Sequence, residues 1–337
     1  MKNIFPSINK HKKDGKEYNT LVIIGNGFDL AHGYNTSYKS FSENMSAECL
    51  KKFKDYCEKE NKINTWYNFE ENINYMTRAL YDKSISSLTN DSSEDYYNNL
   101  YELNEIFTNI HDLLITYLKN ETEKELVDKF LTVQKYIDSN TQVINFNYTS
   151  TAEKYSKNIF YVHGSIAEED ILLGYDYRDE VCLAQFNDMK WSKIFCREGL
   201  AFRRYLKNKK HIEKESATFK KLIKSFDIYQ QHANSSRGID INSEREIPDY
   251  HFIKEFMMNY NENMNIPDID YGKIETVVVM GHGIEADKVF LDSILIKCIK
   301  LKEVIIYRYD GEKDLSYNLK TGFFEKYTHN IKTEFYR

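Results

Sequence analysis

The stretch Thr20-Leu-Val-Ile-Ile-Gly-Asn-Gly-Phe-Asp29 decides the fold. Its first part, Thr20 to Gly25, is a short continuous apolar run that ends in a glycine turn. Such a run is typical of a parallel strand buried on both faces of a sheet. The glycines that follow allow the backbone to turn sharply into a helix and to approach a phosphate closely. The stretch therefore predicts the first strand and turn of an α/β core.

The chemistry of this turn stays open on its own pattern. A full dinucleotide fingerprint needs a third glycine three positions after the second, and that position holds Leu30. A plain strand-to-helix turn therefore explains the motif about as well as a phosphate-binding loop does. The residues of the motif are Gly25, Asn26, Gly27, Phe28 and Asp29.

Further short apolar runs predict the other strands of the sheet. Helical stretches separate them, which indicates an α/β fold whose parallel sheet is covered on both faces. Residues 1–19 form a polar lead-in, and residues 20–337 form one domain with helical insertions at about 36–139 and 185–265. The strand candidates are Gln142 to Phe146, Ile159 to Val162, Ile171 to Gly174, Thr276 to Met280 and Val304 to Tyr309.

Composition limits the classes of function. Hydrophobic residues make up 41% and charged residues 29%, which is typical of a globular protein. The net charge of −6 argues against broad binding to nucleic acid or to anionic lipid. The N-terminus lacks the apolar core of a signal peptide, and no apolar run reaches the roughly 18 residues that span a bilayer. These features predict a cytoplasmic protein without a membrane segment.

The five cysteines are scattered and form no C-x-x-C motif. An odd number at such spacings, in a reducing compartment, indicates free thiols rather than disulfides or a zinc site. The histidines show no H-E-x-x-H spacing either, so no metal is expected.

Two motifs follow the second and third strand candidates. Asn147, in N-F-N-Y-T, can donate and accept hydrogen bonds, which suits gripping ribose hydroxyls or a water; capping a helix that begins near Thr149 is an equally good explanation. His163, followed by Gly164, stands at a strand end, where it could serve in acid/base chemistry near neutral pH. A lone histidine is more often structural, but this one shares its sheet edge with the other motifs.

A fourth motif, Gly281-His282-Gly283, follows the strand candidate at Thr276, with Asp287 a few residues further in the next helix. His282 could contact a ligand or merely fill the loop. In doubly wound sheets, ligands bind beyond the carboxyl ends of the strands. We therefore expect all four motifs to line one crevice.

Other groups carry weaker signals. Trp66 and Phe69 share a helical face with Glu70, and core packing explains the two aromatics. Glu70 is nevertheless the best candidate in the first insertion for reaching a ligand. The basic stretch Arg203 to Lys214 is interpreted as a solvated helix face.

Together and in this order, these motifs resemble the AbiH family of bacterial phage-defence proteins. The resemblance covers about residues 20–310 and includes the long I-I-G-N-G-F-D-L-A-H-G stretch. Its parts are Ile23 to Phe41, Trp66 to Glu70, Asn145 to Thr149, Tyr161 to Gly164, and Gly281 with His282.

AbiH proteins are in turn similar to sirtuins and to sirtuin-like NAD-degrading domains. This similarity implies a Rossmann-like parallel sheet of sirtuin type with a large helical insertion. It also implies Asn147 and His163 as catalytic residues. The zinc ribbon of sirtuin deacetylases is absent here, which favours NAD hydrolysis over deacetylation, and Gly283 replaces a usual serine. The implied ligand contacts are Gly25, Asn26, Gly27, Phe28, Asp29, Asn145, Tyr148, Gly164, Gly281, His282 and Gly283.

The resemblance thus predicts an abortive-infection NAD glycohydrolase, with NAD as substrate and no other cofactor. Two alternatives remain: a sensor that binds NAD or an ADP-ribose-type signal without cleaving it, and a toxin directed at nucleic acid. Acidic charge counts against the toxin. A phage-derived trigger, a homo-oligomer and a neighbouring defence protein are the partners to consider.

Overall fold

The computed structural model describes residues 17–59, 66, 69, 70, 72, 93–124, 130–168, 170–173, 267, 269–284, 287–309 and 313–336. The chain divides into two compact units. The first comprises Met1–Asn35, Thr122–Ala167 and Asn265–Arg337, and the second comprises Thr36–Glu121 and Glu168–Met264. The second predicted insertion, residues 185–265, and the basic stretch Arg203 to Lys214 lie outside the described residues.

The first unit is built on a six-stranded sheet in which every neighbouring pair of strands is parallel. In spatial order the strands are β3, β2, β1, β6, β7 and β8. The chain therefore builds one half of the sheet outward from β1, returns, and builds the other half from the opposite side of β1. The strands span Thr20–Ile24 (β1), Thr141–Asn145 (β2), Ile159–Tyr161 (β3), Thr276–Met280 (β6), Glu303–Arg308 (β7) and Ile331–Phe335 (β8).

Both faces of this sheet are covered, as the continuous apolar runs predicted. Leu21 and Ile23 pack into one buried cluster, whereas Val22 and Ile24 pack into a second one on the opposite face. All four side chains are fully buried. Because strand side chains alternate between faces, only a strand with two buried faces needs apolar residues at every position.

The helices among the described residues are short, with one exception. The exception, α4, has Ile106, Ile110 and Leu114 buried along one face, as their spacing predicted. Among the described residues, no helix is both long and apolar enough to cross a membrane. The helices are Asn26–Ala31 (α1), Tyr38–Asn44 (α2), Glu48–Lys59 (α3), Ser93–Thr122 (α4), Leu131–Gln134 (α5), Lys288–Leu295 (α6) and Asp314–Phe324 (α7), with short 3-10 turns at Thr151–Lys154 and Tyr271–Lys273.

Two features of the sheet differ from the prediction. The run at Ile171 is not a strand of this sheet: only Asp170–Ile171 (β5) is extended, and, like Gly164–Ser165 (β4), it lies outside the six strands. Leu172 and Leu173 beside it are buried, so burial outside the main sheet explains the apolar run. Strand β8 was not predicted, because the residues of this edge strand are only half-buried or exposed and form no continuous apolar run.

The lead-in ends in packed structure. Tyr18 is buried in the first apolar cluster, and the Asn19 amide donates to the carbonyl of Asn140. Residues 1–16 lie outside the described residues.

In the second unit, an aromatic cluster explains the two aromatics of the Trp66 motif. Trp66 stacks on Phe69 with ring centroids 5.6 Å apart, and Phe53 packs edge-on against Phe69 at 4.9 Å. The core-packing interpretation of these residues is confirmed. Glu70 accepts a hydrogen bond from the Tyr38 hydroxyl at 2.9 Å. Its contact with a ligand stays a prediction.

A buried histidine, His32, fixes the C-terminal end of α1. His32 has no exposed surface; its Nδ1 donates to the carbonyl of Phe28 at 2.7 Å. Its Nε2 lies 2.6 Å from the Tyr155 hydroxyl, which itself accepts from the Phe130 amide. Burial lowers the pKa of His32 and so favours the neutral ring; with its proton on Nδ1, Nε2 accepts from the Tyr155 hydroxyl.

We predict that neutral His32 makes folding stability depend on pH. Burial is the largest cause that lowers the pKa of His32, with a smaller effect from the charge of Lys154. The unfolded chain therefore binds a proton below about pH 6.5 that the folded chain resists, so stability is present above that pH and falls as the pH drops through it. Urea unfolding of wild type and His32→Gln at pH 8.0 and 5.5 should show a smaller pH effect in the variant.

The control is His329→Gln, which changes an exposed histidine and should keep the wild-type pH dependence. At pH 8.0, His32→Gln should cost roughly 1–3 kcal/mol, since it strands a buried hydrogen-bond partner. An unchanged pH dependence in His32→Gln would assign the effect to another group.

Candidate functional site

The loops that follow β1 and β6 touch each other through their backbones. The Gly27 amide donates to the Gly281 carbonyl at 2.9 Å, and the Gly25 amide donates to Met280 at 3.0 Å. A Cβ on Gly27 would lie 2.8 Å from the Gly281 Cα, and one on Gly281 would overlap the Phe28 nitrogen. Glycine is therefore required here because two loops pack together without room for side chains.

This contact uses most of the amides that the turn was expected to offer to a phosphate. Gly25 and Gly27 donate to the β6 loop, and Phe28 donates to Gly25. Asn26, the first residue of α1, is exposed at the same turn. The turn expected to bind a phosphate is therefore held largely by hydrogen bonds within the protein.

The asparagine motif connects β2 to the same turn. Asn147, 7% exposed, donates from Nδ2 to the carbonyl of Gly25 at 3.0 Å, while its own amide donates to the Asn145 side chain. Asn145 Nδ2 reaches the carbonyl of Thr149 at 3.3 Å. Asn147 does not cap a helix; it ties the β2 loop to the β1 loop.

A buried carboxylate joins the two histidine motifs. Asp287 Oδ1 lies 3.2 Å from His163 Nε2, and Asp287 Oδ2 lies 3.3 Å from His282 Nε2. None of the three side chains is more than 6% exposed. The Phe146 ring packs against both imidazoles, with centroids 5.5 Å and 4.2 Å away. The result is a His–Asp–His cluster beneath an aromatic ring.

The backbone of the β6 loop sets the geometry of this cluster. Ile284 has φ of 66°, which is unusual for a β-branched residue, and its amide donates to His282 Nδ1 at 2.9 Å. Asp287 is the N-terminal cap of α6, yet its carboxylate makes no capping hydrogen bond. It stands before the helix, rather than within it as predicted, and its side chain serves the histidines instead.

A second polar network lies on the β1–β2–β3 side. Thr149 donates to Asp29 Oδ2 at 2.6 Å, and this contact holds the buried carboxylate at the start of the asparagine loop. Tyr161 donates to Glu153 at 2.8 Å, and burial, followed by this hydrogen bond, raises the pKa of Tyr161. A cavity of about 300 Å³ lies beside this network. It is lined by Tyr34, Thr122, Ser150, Thr151, Glu153 and Lys154.

The structure brings the four predicted motifs into direct contact. Gly25 meets His282, Asn147 meets Gly25, and Phe146 meets both His163 and His282. Tyr148 packs beside His163 at 6.4 Å, and Gly164 adopts φ of 78° directly after it. Gly283 is exposed, and a Cβ there would meet nothing within 4 Å.

Sequence reasoning missed the central residue of the cluster, Asp287. The sequence indicates a helix residue at this position and gives no sign of a site residue. Its position three residues after Ile284 gives no signal of the direction of its side chain. The only sequence hint is an acidic residue just beyond a glycine–histidine loop.

Fold and site together define an α/β protein with a buried histidine, asparagine and aspartate site at the carboxyl ends of a parallel sheet. The sequence model of the family described as bacteriophage abortive infection AbiH matches residues 21–309. The chain therefore belongs to the AbiH family, which links it to abortive infection by bacteriophage. Neither curated proteins nor solved structures gave a match to the chain.

We predict that the loop contact is essential to the fold of the site, whereas Gly283 is not. Gly281→Ala places a Cβ into the Phe28 backbone at φ of 68° and should cost about 2–5 kcal/mol or prevent folding. Gly283→Ala, the matched control two residues away, should stay within about 0.5 kcal/mol of wild type. Thermal and urea unfolding measure both. Equal stability of the two variants would contradict the close contact.

Proposed function

We propose that the protein is an abortive-infection NAD glycohydrolase that cleaves the nicotinamide–ribose bond when phage infects the cell. The observation that carries this proposal is the convergence of the asparagine and histidine motifs on the turn after β1. Family membership supports the role in defence, and the arrangement of polar groups supports the chemistry.

The topology supports a nucleotide as the ligand. Counting only strands of the main sheet along the chain, their spatial order is 3-2-1-4-5-6, the order of doubly wound dinucleotide-binding sheets. Such sheets bind ligand where the strand order reverses, which here is between β1 and β6. We propose on this basis that the sheet is Rossmann-like and of sirtuin type.

In the proposed reaction, NAD lies across these strand ends with its pyrophosphate near Asn26. Breaking the bond between ribose C1′ and the nicotinamide nitrogen develops positive charge on the ribose, and that bond's electron pair leaves with nicotinamide. Water adds to C1′ and gives its proton to His163, while Asn147 holds the ribose or the water. The products are ADP-ribose, nicotinamide and a proton.

The burial of the cluster supports control of the enzyme by a conformational step. His163 is 3% exposed and Asp287 4%, so water and substrate reach them only after local rearrangement. A phage-derived trigger, a homo-oligomer or a neighbouring defence protein would favour the competent form.

A sensor that binds NAD or an ADP-ribose-type signal without cleaving it is the second candidate. The side chain of Asn147 and both histidines contact protein atoms in the described structure. Side chains that are held in place by such contacts suit tight binding of a ligand as well as catalysis. Recovery of intact ligand after long incubation with the activated protein would favour the sensor.

We predict that NAD falls after infection in cells with wild type and is retained in cells with His163→Gln or Asn147→Ala. Removing a general base costs about 10²–10⁴-fold in rate, enough to abolish protection. Glutamine at position 163 keeps a polar side chain facing the buried carboxylate. Mass spectrometry of NAD before and after infection, with His329→Gln as an exposed-histidine control, measures the effect.

Two outcomes would count against the proposed NAD hydrolysis or the role of His163 in it. Constant NAD in a protected wild-type culture would leave the sensor as the explanation. If cells with folded His163→Gln still lose NAD fully after infection, His163 has no role in the chemistry.

We also predict that the purified protein turns over NAD slowly. If about 1% of molecules are in the competent form at rest, basal turnover falls about 100-fold. NAD consumption by the purified protein should therefore rise when extract of infected cells is added, and extract of uninfected cells is the control. Equal rates with both extracts would contradict a triggered enzyme.

A further inference from the structure

Strand β8 forms one edge of the six-stranded sheet. It pairs with β7 on one side, and no other strand among the described residues pairs with its second side. The Val304 amide donates to the carbonyl of Asn330, and alternate residues of a strand bond to the same neighbour. The even-numbered residues of β8 therefore bond to β7, whereas Ile331, Thr333 and Phe335 direct their amides and carbonyls outward. Such a row of groups is a template for pairing with another strand.

The side chains of β8 carry opposite charges two residues apart. Lys332 and Glu334 lie on the same face of the sheet, because strand side chains alternate between faces. Lys332 is 59% exposed and pairs with Glu303 at 2.5 Å, and Glu334 accepts from the Tyr136 hydroxyl at 3.0 Å. Contacts within the chain thus already orient both charges, which lowers the entropic cost of using them in an interface.

We propose that β8 pairs antiparallel with β8 of a second copy of the chain, centred on Thr333, and so joins the two sheets in a twofold-symmetric dimer. In this register Thr333 lies opposite its counterpart, Lys332 of each copy lies opposite Glu334 of the other, and Ile331 lies opposite Phe335. A twofold interface uses the same surface on both copies, so each contact occurs twice. The inference does not rest on the proposed function.

The backbone and the charges of β8 select this register. The outward groups meet in hydrogen-bonded pairs, so Lys332 and Glu334 fall at the non-hydrogen-bonded positions, where opposite side chains are closest. A slip of two residues keeps the backbone pairing but places Lys332 opposite Lys332, or Glu334 opposite Glu334. A slip of one residue brings groups that bond to β7 opposite groups that point outward. Only the register centred on Thr333 pairs opposite charges.

Charged side chains on an edge strand can also serve to prevent pairing. A protective set of charges repels a second copy in every register, whereas the charges of β8 attract one in a single register. Because the two copies run in opposite directions, the carboxyl ends of their strands lie at opposite edges of the joined sheet. The dimer therefore keeps the two candidate sites apart.

Lys332→Glu and Glu334→Lys test the pairing in the full-length chain. Each variant replaces two opposite-charge pairs across the symmetric interface by two like-charge pairs. The dissociation constant of the dimer should rise about 10-fold or more. Lys54→Glu reverses the charge of an exposed lysine that pairs with Glu58 on α3, and this control should keep the wild-type constant. Sedimentation velocity at micromolar to submillimolar concentrations measures all four proteins.

Mixing the two β8 variants separates pairing from structural damage. One variant carries two glutamates at positions 332 and 334 and the other carries two lysines, so every pair between them is of opposite charge. An equimolar mixture of Lys332→Glu and Glu334→Lys should therefore form a heterodimer at least as tightly as wild type forms its homodimer. Lost contacts within each chain cannot produce this rescue. Native mass spectrometry with one variant labelled with ¹⁵N identifies the heterodimer.

A wild type that stays monomeric over this concentration range would overturn the proposal and leave the charges as protection of the edge. A wild-type dimer that neither variant weakens, or variants that do not associate on mixing, would overturn it too. Should a charge variant not fold, Thr333→Pro decides. This change removes an outward amide that β7 does not use, so the fold should survive and the dimer should be lost. Dimerisation of Thr333→Pro with the wild-type constant would contradict pairing through β8.

Discussion

Two loops of this protein meet backbone to backbone, where the Gly27 amide binds the Gly281 carbonyl. The loops follow β1 and β6, the two neighbouring strands between which the strand order reverses. A side chain at this contact would push them apart, and the His282 ring would then move away from the β1 turn. The positions of the asparagine and histidine groups thus depend on a contact in which no side chain takes part.

Around that contact, polar groups replace the apolar packing that fills the sheet below. Buried polar residues follow each strand of the β1–β2–β6 region within a few positions: Asp29 after β1, Asn147 after β2 and His282 after β6. Several of their hydrogen bonds and ion pairs join different loops, including those of Asn147 with Gly25, Thr149 with Asp29 and His163 with Asp287. This arrangement makes the site rigid only as a whole, because each loop is held by its neighbours.

The sequence predicted the parts of the fold that burial dictates. Strands such as Thr276–Met280 are buried on both faces, so their residues must be apolar throughout, and the pattern is visible without a structure. Strand β8, with charged residues such as Lys332 and Glu334, lies at an edge and has no such pattern. The run at Ile171 was wrongly predicted to join this sheet, because buried apolar residues outside the main sheet look the same in sequence.

For the site, the rule that strand ends share one edge was enough to group Asn147, His163 and His282. It was not enough to find Asp287, whose direction depends on the backbone of Ile284. Nothing in the residue type isoleucine signals a left-handed conformation. The use of the turn amides within the protein was likewise invisible, because it depends on how closely the two loops approach.

The central place of β1 has a consequence for synthesis of the chain. Thr20 pairs with Thr141 on one side and with Thr276 on the other. One edge of β1 therefore stays unpaired until Thr276–Met280 has been synthesised. Non-local pairing of this kind slows folding and leaves an apolar strand open to misassociation during translation. The sheet of this AbiH-family protein can therefore be completed only late in translation.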